Sequence, residues 1–366
     1  MADVVFILGA GASADGGAPV MRDFLDAARK LRLSGNIRDS RISSAFDEVF
    51  AAIGKLQVVH SKARDFDINN IESVFSAFEM AQLLGHMPGY DVAQIDSLIT
   101  ALKTVIATTL EATLRFDRKK SSGTTAAPRP YPQFVDLLHK CRAMSPSYNP
   151  VVITFNYDLA LDYALQQGGL PARYFLDDTD PRVGIPLLKL HGSLNWIANG
   201  DDIVPWHMEG ILSNGPGNLF FHTGTDEVRH FQITPHLING LRGQPPIEQP
   251  SPVIIPPTWN KYGYQKQITR VWSQASKELG SAQHIFVIGY SLPLSDLFFR
   301  YLYALGSVGD QPLSTFHVFN PDEKVCARFQ DMMGPGSEAR FRFYGQKQHP
   351  FEYALGQIAI TLENWR

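Results

Sequence analysis

The sequence predicts an α/β fold built on an open parallel sheet with a helical insertion. Three observations carry that prediction. First, five short apolar runs lack the alternation of a half-exposed strand: Val4-Val5-Phe6-Ile7-Leu8, Val151-Val152-Ile153-Thr154-Phe155, Leu187-Leu188-Lys189-Leu190, Ile285-Phe286-Val287-Ile288 and Phe316-His317-Val318-Phe319. Such runs fit strands buried on both faces. Second, each run ends in a glycine-bearing or polar turn: Gly9-Ala10-Gly11, Asn156-Tyr157-Asp158, His191-Gly192-Ser193, Gly289-Tyr290-Ser291 and Asn320-Pro321-Asp322. In a parallel sheet of this kind the ligand crevice lies outside the carboxyl ends of the strands, so all five turns would face one crevice. Third, a long stretch between the first two runs carries helical rather than strand spacing. Together these make a Rossmann-like sheet interrupted by helices.

Taken in order, the first strand passes through its glycine turn into a helix over about 21–33, where Phe24, Leu25, Ala28 and Leu31 share a face. From about residue 42 to 115 the pattern is helical, with Ile71, Val74, Phe75 and Phe78, then Leu98, Leu102, Val105 and Ile106, at helical spacing. Residues 35–145 are therefore read as a helical insertion subdomain, and residues 1–34 with 146–366 as the sheet domain. Within the insertion, 117–132 (with Lys119-Lys120, Gly123, Pro128 and Pro130) reads as a mobile loop, and 134–144 as a short helix. Between Trp196 and about Lys261 the abundance of Gly, Pro, Asn and His predicts irregular structure and short strands covering one side of the crevice.

Composition bounds the function. Of 366 residues, 44% are hydrophobic and 19% charged, which supplies a sizeable core and excludes wholesale disorder. The net charge of −3 argues against direct nucleic-acid binding by this chain. Two cysteines, Cys141 and Cys326, supply neither a four-Cys zinc module nor a disulfide framework. Their scarcity fits a reducing compartment, so a cytoplasmic location is expected. No apolar run reaches the roughly 18–20 residues of a membrane span, and the first apolar run lacks the flanks of a signal peptide.

The residues that could carry chemistry sit in the turns. Glycines after a strand let the backbone approach a pyrophosphate, whose charge is favoured by N–H groups at the next helix start. Gly9-Ala10-Gly11 alone is a weak signal and departs from G-x-G-x-x-G, because Ala14 stands at the final position. An Asn after a strand is commonly a turn former, Asp158 could cap the helix that follows, and a His after an apolar strand is commonly structural. His207, His222, His230 and His236 show no metal-ligand spacing, so no metal is expected. Trp196, Trp206, Trp259 and Trp272 could stack on an adenine or lie in the core.

The turns in combination are more specific. Gly9-Ala10-Gly11-Ala12-Ser13, with Gly17-Ala18-Pro19 following, resembles the first NAD-binding motif of the sirtuins. Thr154-Phe155-Asn156-Tyr157-Asp158 resembles their Thr-Gln-Asn-Ile-Asp motif, Leu190-His191-Gly192-Ser193 their catalytic His-Gly, Gly289-Tyr290-Ser291-Leu292 their Gly-Thr-Ser-Leu turn, and Asn320 their late asparagine. The order matches and the resemblance spans nearly the whole chain. Departures are equally informative. The sirtuin zinc module is absent, and Val20-Met21-Arg22 replaces Asp-Phe-Arg. The segment Arg64-Asp65-Phe66-Asp67-Ile68-Asn69-Asn70-Ile71-Glu72 and the run Ile254-Ile255-Pro256-Pro257-Thr258-Trp259-Asn260-Lys261 resemble bacterial sirtuin-like antiphage-defence effectors.

This resemblance implies a sirtuin-type sheet without zinc and an NAD⁺ glycohydrolase that releases nicotinamide and ADP-ribose. It implies NAD⁺ as substrate, and Asn156 and His191 as catalytic residues. It assigns the dinucleotide to Gly9, Ala10, Gly11, Ser13, Pro19, Arg22, Asp158, Gly289, Tyr290, Ser291 and Asn320. Met21 is expected in the core or a pocket wall. A regulated, NAD-depleting role in abortive infection follows, with a homo-oligomer and a HerA-type ATPase, a short Argonaute or another sensor protein as partner. The alternatives are an NAD-dependent deacylase, against which the missing zinc module argues, and a non-enzymatic NAD or ADP-ribose sensor, against which the presence of both Asn156 and His191 argues.

Overall fold

The computed structural model describes residues 3–60, 66–118, 125–144, 148–177, 183–199, 202–213, 220–221, 228–233, 251–255, 266–293, 296–308 and 312–364. The chain begins with β1 (Val4–Leu8), whose five residues are all buried. It continues through two 3₁₀ turns into α1 (Phe24–Leu33). Three helices follow: α2 (Ser40–His60), α3 (Ile71–Leu84) and α4 (Val92–Thr113). Their expected apolar faces are the buried ones, including Ile71, Val74, Phe75 and Phe78 on α3 and Leu98, Leu102, Val105 and Ile106 on α4. Caps explain the boundaries. The Asn70 side chain accepts from Glu72 N–H at 2.8 Å, Gly85 ends α3 with left-handed backbone, and Asp91 forms a capping box with Gln94.

The expected loop over 117–132 differs in its described parts. β2 (Phe116–Arg118) and β3 (Thr125–Ala126) pair antiparallel, and β2 also pairs with β10 (Val228–Phe231), which pairs with β9 (Phe220–Phe221). Polar and proline-rich composition hid strands that are held by partners a hundred residues away. Lys119, Lys120 and Gly123 lie outside the described residues, as do Arg64, Asp65, residues 256–261, His222 and His236. The expected short helix over 134–144 is α5 (Tyr131–Met144), which starts three residues earlier.

The main sheet then assembles. β4 (Pro150–Thr154) leads into α6 (Ala160–Gln167), followed by β5 (Ala172–Arg173) and β6 (Ile185–Lys189). β7 (Gly192–Asn199) turns away to form the middle of a small antiparallel sheet, between β8 (Asp202–Pro205) and β11 (Pro252–Ile254). α7 (Met208–Ser213) and α8 (Lys266–Ser281) precede β12 (His284–Ile288). α9 (Leu297–Gly306), β13 (Thr315–Phe319), α10 (Lys324–Met332), α11 (Pro335–Glu338), β14 (Phe341–Tyr344) and α12 (Pro350–Glu363) complete the chain. The seven strands run β14-β13-β12-β1-β4-β6-β5, all parallel. All five expected strands are present; β5 and β14, at the two edges, were not anticipated. The chain builds outward from β1 through β4 and then returns to β1's other side at β12. That reversal makes β1/β12 the switch point at which open α/β sheets bind ligands.

Two buried histidines on neighbouring strands make stability acid-sensitive. His284 and His317 are both pushed down to about 4, chiefly by burial, with Arg342 and His284 adding to the effect on His317. Each titrates near 6.5 in the unfolded chain. Above that pH neither contributes a difference. As pH falls from about 6.5 towards 4, the unfolded chain binds protons that the folded one resists, so stability drops by as much as about 3 kcal/mol per ring. Urea midpoints should therefore fall steeply between neutral pH and pH 4.5, and more gently in His284→Phe.

Candidate functional site

The site is assembled at the carboxyl ends of β1, β4, β6 and β12. β4 and β6 pair in parallel with Thr154 opposite Lys189. Asn156 and His191 each lie two residues beyond that pair, on the tips of strands spaced about 4.8 Å apart. Leu190 N–H donates to the Thr154 carbonyl at 2.9 Å, continuing the register to the residue before His191. Three further contacts hold His191 in place. Trp272 Nε1 donates to the Leu190 carbonyl at 2.9 Å, Ile255 N–H donates to the His191 carbonyl at 2.8 Å, and the imidazole packs edge-on against Phe155 at 5.1 Å. His191 is buried, and its Nε2 lies 3.9 Å from Asp296 Oδ2.

Gly192 turns the chain from the main sheet into the small one. Its φ is +86°, and a Cβ there would overlap the Val253 carbonyl oxygen across the β7–β11 pair. Gly192→Ala is therefore expected to lose roughly 2–4 kcal/mol from strain and overpacking. A lowered denaturation midpoint would check this.

Ser13 is the hub of the polar network. Its hydroxyl donates to Asp158 Oδ2 at 2.8 Å, accepts from Asn156 Nδ2 at 3.2 Å and lies 2.7 Å from the Tyr131 hydroxyl. A serine has one donor and two acceptor positions, so with Tyr131 donating all three are filled. Asp158 uses its other oxygen to accept from Ala160 N–H at 3.0 Å, at the first turn of α6. Burial raises its carboxyl, opposed by the Lys189 charge and the Ser13 hydrogen bond. Burial also holds the Tyr131 phenol well above its ordinary range. Ser13 and Asp158, read from sequence as ligand groups, thus bind each other and orient the Asn156 amide, while Asn156 itself is half-buried. Tyr131 was missed because it follows a proline-rich stretch with no strand or motif to mark it.

The glycine turn differs from the expected phosphate cradle. Gly9 N–H donates to Ile288 O and Gly11 N–H to Gly289 O, both at 3.0 Å, while Ala12 and Ser13 donate to Gly9 O and Ala10 O. These amides are consumed in a short 3₁₀ turn, and α1 begins only at Phe24. The glycines here let two strand tips touch. Gly289 has φ +65°, and its Cβ would overlap the backbone of Gly11 and Ala12. Ala10 and Pro19 are half-buried on the same segment, whereas Arg22 points outward, 83% exposed, in an ion pair with Asp23.

Around β12 the remaining expected residues tie the tips together. Tyr290 is buried, stacks on Phe155 at 3.9 Å and donates to Asp296 Oδ2 at 2.7 Å. The Ser291 carbonyl accepts from Arg328 at 3.0 Å, and Leu292 adopts left-handed backbone (φ +46°), uncommon for a branched residue. Asn320 donates to the Tyr290 carbonyl at 3.3 Å and accepts from Asp322 N–H at 3.0 Å. Beneath the β4 and β6 tips lies a further network. Lys189 Nζ donates to Asp162 Oδ2 at 2.9 Å and to the Asp158 carbonyl at 2.8 Å; Tyr174 donates to Asp162 and accepts from Asn195 Nδ2 at 3.0 Å. No motif announced it.

A cleft partly open to solvent adjoins Tyr157 and is walled by Met21, Phe24, Ile71, Glu72, Phe75 and Ile106. Met21 is thus a pocket wall, and Glu72 brings a carboxylate from α3 to the same space. Trp196, Trp206 and Trp272 are buried in the core; Trp259 lies outside the described residues. His207 stacks on Tyr174, and His230 Nδ1 lies 2.9 Å from the Leu114 carbonyl. Among the described residues no group of three His, Cys, Asp or Glu side chains comes together to hold a metal, and no helix is long and apolar enough to cross a membrane.

No family model matches the chain, and no curated protein matches it. Among solved structures, it is similar to a Sir2 homolog–NAD complex (15% identity, 98% of this chain and 90% of that chain covered, TM-score 0.38). It is similar to a mutant Sir2 homologue in complex with ADP ribose (14% identity, 98% and 93% covered, TM-score 0.40). A third is Sir2Tm bound to a propionylated peptide (12% identity, 96% and 90% covered, TM-score 0.34).

Proposed function

We propose that this protein is an NAD⁺ glycohydrolase that cleaves the nicotinamide–ribose bond. One observation carries the reading: Asn156 and His191 each stand two residues past the Thr154–Lys189 pair, at the tips of the paired strands β4 and β6. These tips stand beside the switch point of a parallel sheet. Bond cleavage sends the glycosidic electron pair to the pyridinium nitrogen and releases neutral nicotinamide. Water then adds to C1′ and loses a proton, giving ADP-ribose. The departing group is already cationic, so the site needs to orient and stabilise rather than supply a strong acid. Asn156, braced by Ser13, holds the ribose or the water; His191 hydrogen-bonds the ribose hydroxyls or accepts the proton.

One feature supports a regulated enzyme: His191 is only 4% exposed, so the ring that would meet the dinucleotide is closed off from it. This conformation corresponds to a resting form that opens on assembly with further copies or with a partner such as a HerA-type ATPase, a short Argonaute or a sensor protein, in the manner of an NAD-depleting defence effector. The helical segment 35–145 is the proposed assembly surface. Purified protein, alone and with the products of neighbouring genes, should be incubated with NAD⁺ while nicotinamide and ADP-ribose are quantified. Equimolar release of both supports the proposal. Release that requires an acylated peptide would favour a deacylase, and NAD⁺ retention without turnover under every condition would favour a sensor.

A further inference from the structure

Asp296 belongs to none of the motifs that marked the site, yet it is fully buried beside His191. Its two oxygens are separately engaged. Oδ1 accepts from Phe299 N–H at 3.2 Å, capping α9, while Oδ2 accepts from the Tyr290 hydroxyl at 2.7 Å and faces His191 Nε2 at 3.9 Å. The carboxylate is therefore fixed from two directions, by a helix N-terminus and by a phenol that itself stacks on Phe155. Which imidazole nitrogen carries the proton is set by the partner of the other. At 3.9 Å the two atoms stand in ion-pair range for a protonated ring and just beyond hydrogen-bond distance for a neutral one, and such contacts commonly tighten when substrate is bound.

We propose that Asp296 is a positioning residue for His191: its carboxylate holds the ring in the Nε2–H tautomer and leaves Nδ1 as the nitrogen that serves the substrate. This rests on the NAD⁺ glycohydrolase reading and adds to it the component that orients the base. The other titratable groups around the pair are Tyr157 on the β4 tip, Tyr290 on the β12 tip and Arg300 on α9. Glu72 and Glu79 on α3 also act electrostatically on Tyr157.

Asp296→Asn is the informative variant, since asparagine caps a helix about as well as aspartate; with its oxygen kept on Phe299 N–H, its NH2 donates to the Tyr290 hydroxyl oxygen in place of accepting from it. Histidine ¹⁵N-labelled protein, with His191 assigned by difference against His191→Gln, reports the tautomer and its titration directly. The Nε2–H form is expected in the parent. Asp296→Asn should show a mixture of tautomers and an acid midpoint moved to lower pH, in protein whose far-UV and near-UV circular dichroism match those of the parent. In parallel, kcat for NAD⁺ cleavage should fall about tenfold or more with KM within about twofold. Unchanged His191 signals in Asp296→Asn would overturn the proposal whatever the activity. So would altered signals with undiminished kcat. A parent protein that cleaves no NAD⁺ with its partners present would instead defeat the proposed reaction, and the spectra would still decide whether Asp296 governs His191.

Discussion

Replacing Lys189 by methionine is expected to destabilise the fold by about 3–5 kcal/mol, the usual consequence of removing one member of a buried ion pair. Lys189 is 1% exposed and lies on a central strand. Its ammonium is the donor that compensates Asp162, which also accepts from Tyr174. Without it, the Asp162 carboxylate and the Asp158 carbonyl remain buried with one donor fewer each. The damage reaches the site, because the Asp158 backbone is held by Lys189 and its side chain by Ser13, which braces Asn156. Chemical denaturation should show a large drop in midpoint for Lys189→Met, partly recovered in Lys189→Met/Asp162→Asn, where no charge is left unpaired. Equal destabilisation of the single and double variants would show that the pairing is not what the lysine contributes.

His191→Ala is expected to lower NAD⁺ cleavage by about 10²–10⁴-fold, the range for removal of a general base. Asn156→Ala should fall comparably, because the amide is the group that Ser13 orients at the β4 tip. Ser13→Ala separates bracing from chemistry. It should lose less activity than Asn156→Ala while leaving Asp158 and the Tyr131 hydroxyl each short of a buried partner. Single-turnover rates of NAD⁺ cleavage check the ranking, and a Ser13→Ala defect equal to that of Asn156→Ala would mean that the serine itself meets the substrate.

The five central strands were legible because each is buried on both faces, which forces an unbroken apolar run, and because parallel strands must end in turns on one side. The edge strands were not. β5 has two residues, and β14 (Phe-Arg-Phe-Tyr) is only partly buried, so neither imposes a clear pattern. The polar network followed the same logic. Asn156 and His191 stood out as polar residues directly after apolar runs. Lys189, by contrast, looked like an interruption within one, and its partner Asp162 lies 27 positions away on α6. Tyr131 and Asp296 meet the site only through the paths of α5 and α9. The glycines were visible, but sequence could not distinguish a backbone opened towards a phosphate from one pressed against a neighbouring strand tip.

The most direct test is a crystal structure of the His191→Ala protein soaked with NAD⁺, alone and together with the products of neighbouring genes. Intact dinucleotide is expected across the β1, β4, β6 and β12 tips, with the nicotinamide ribose within hydrogen-bonding distance of the Asn156 amide. Dinucleotide bound elsewhere on the molecule, or seated at these tips with its ribose turned away from Asn156, would contradict this.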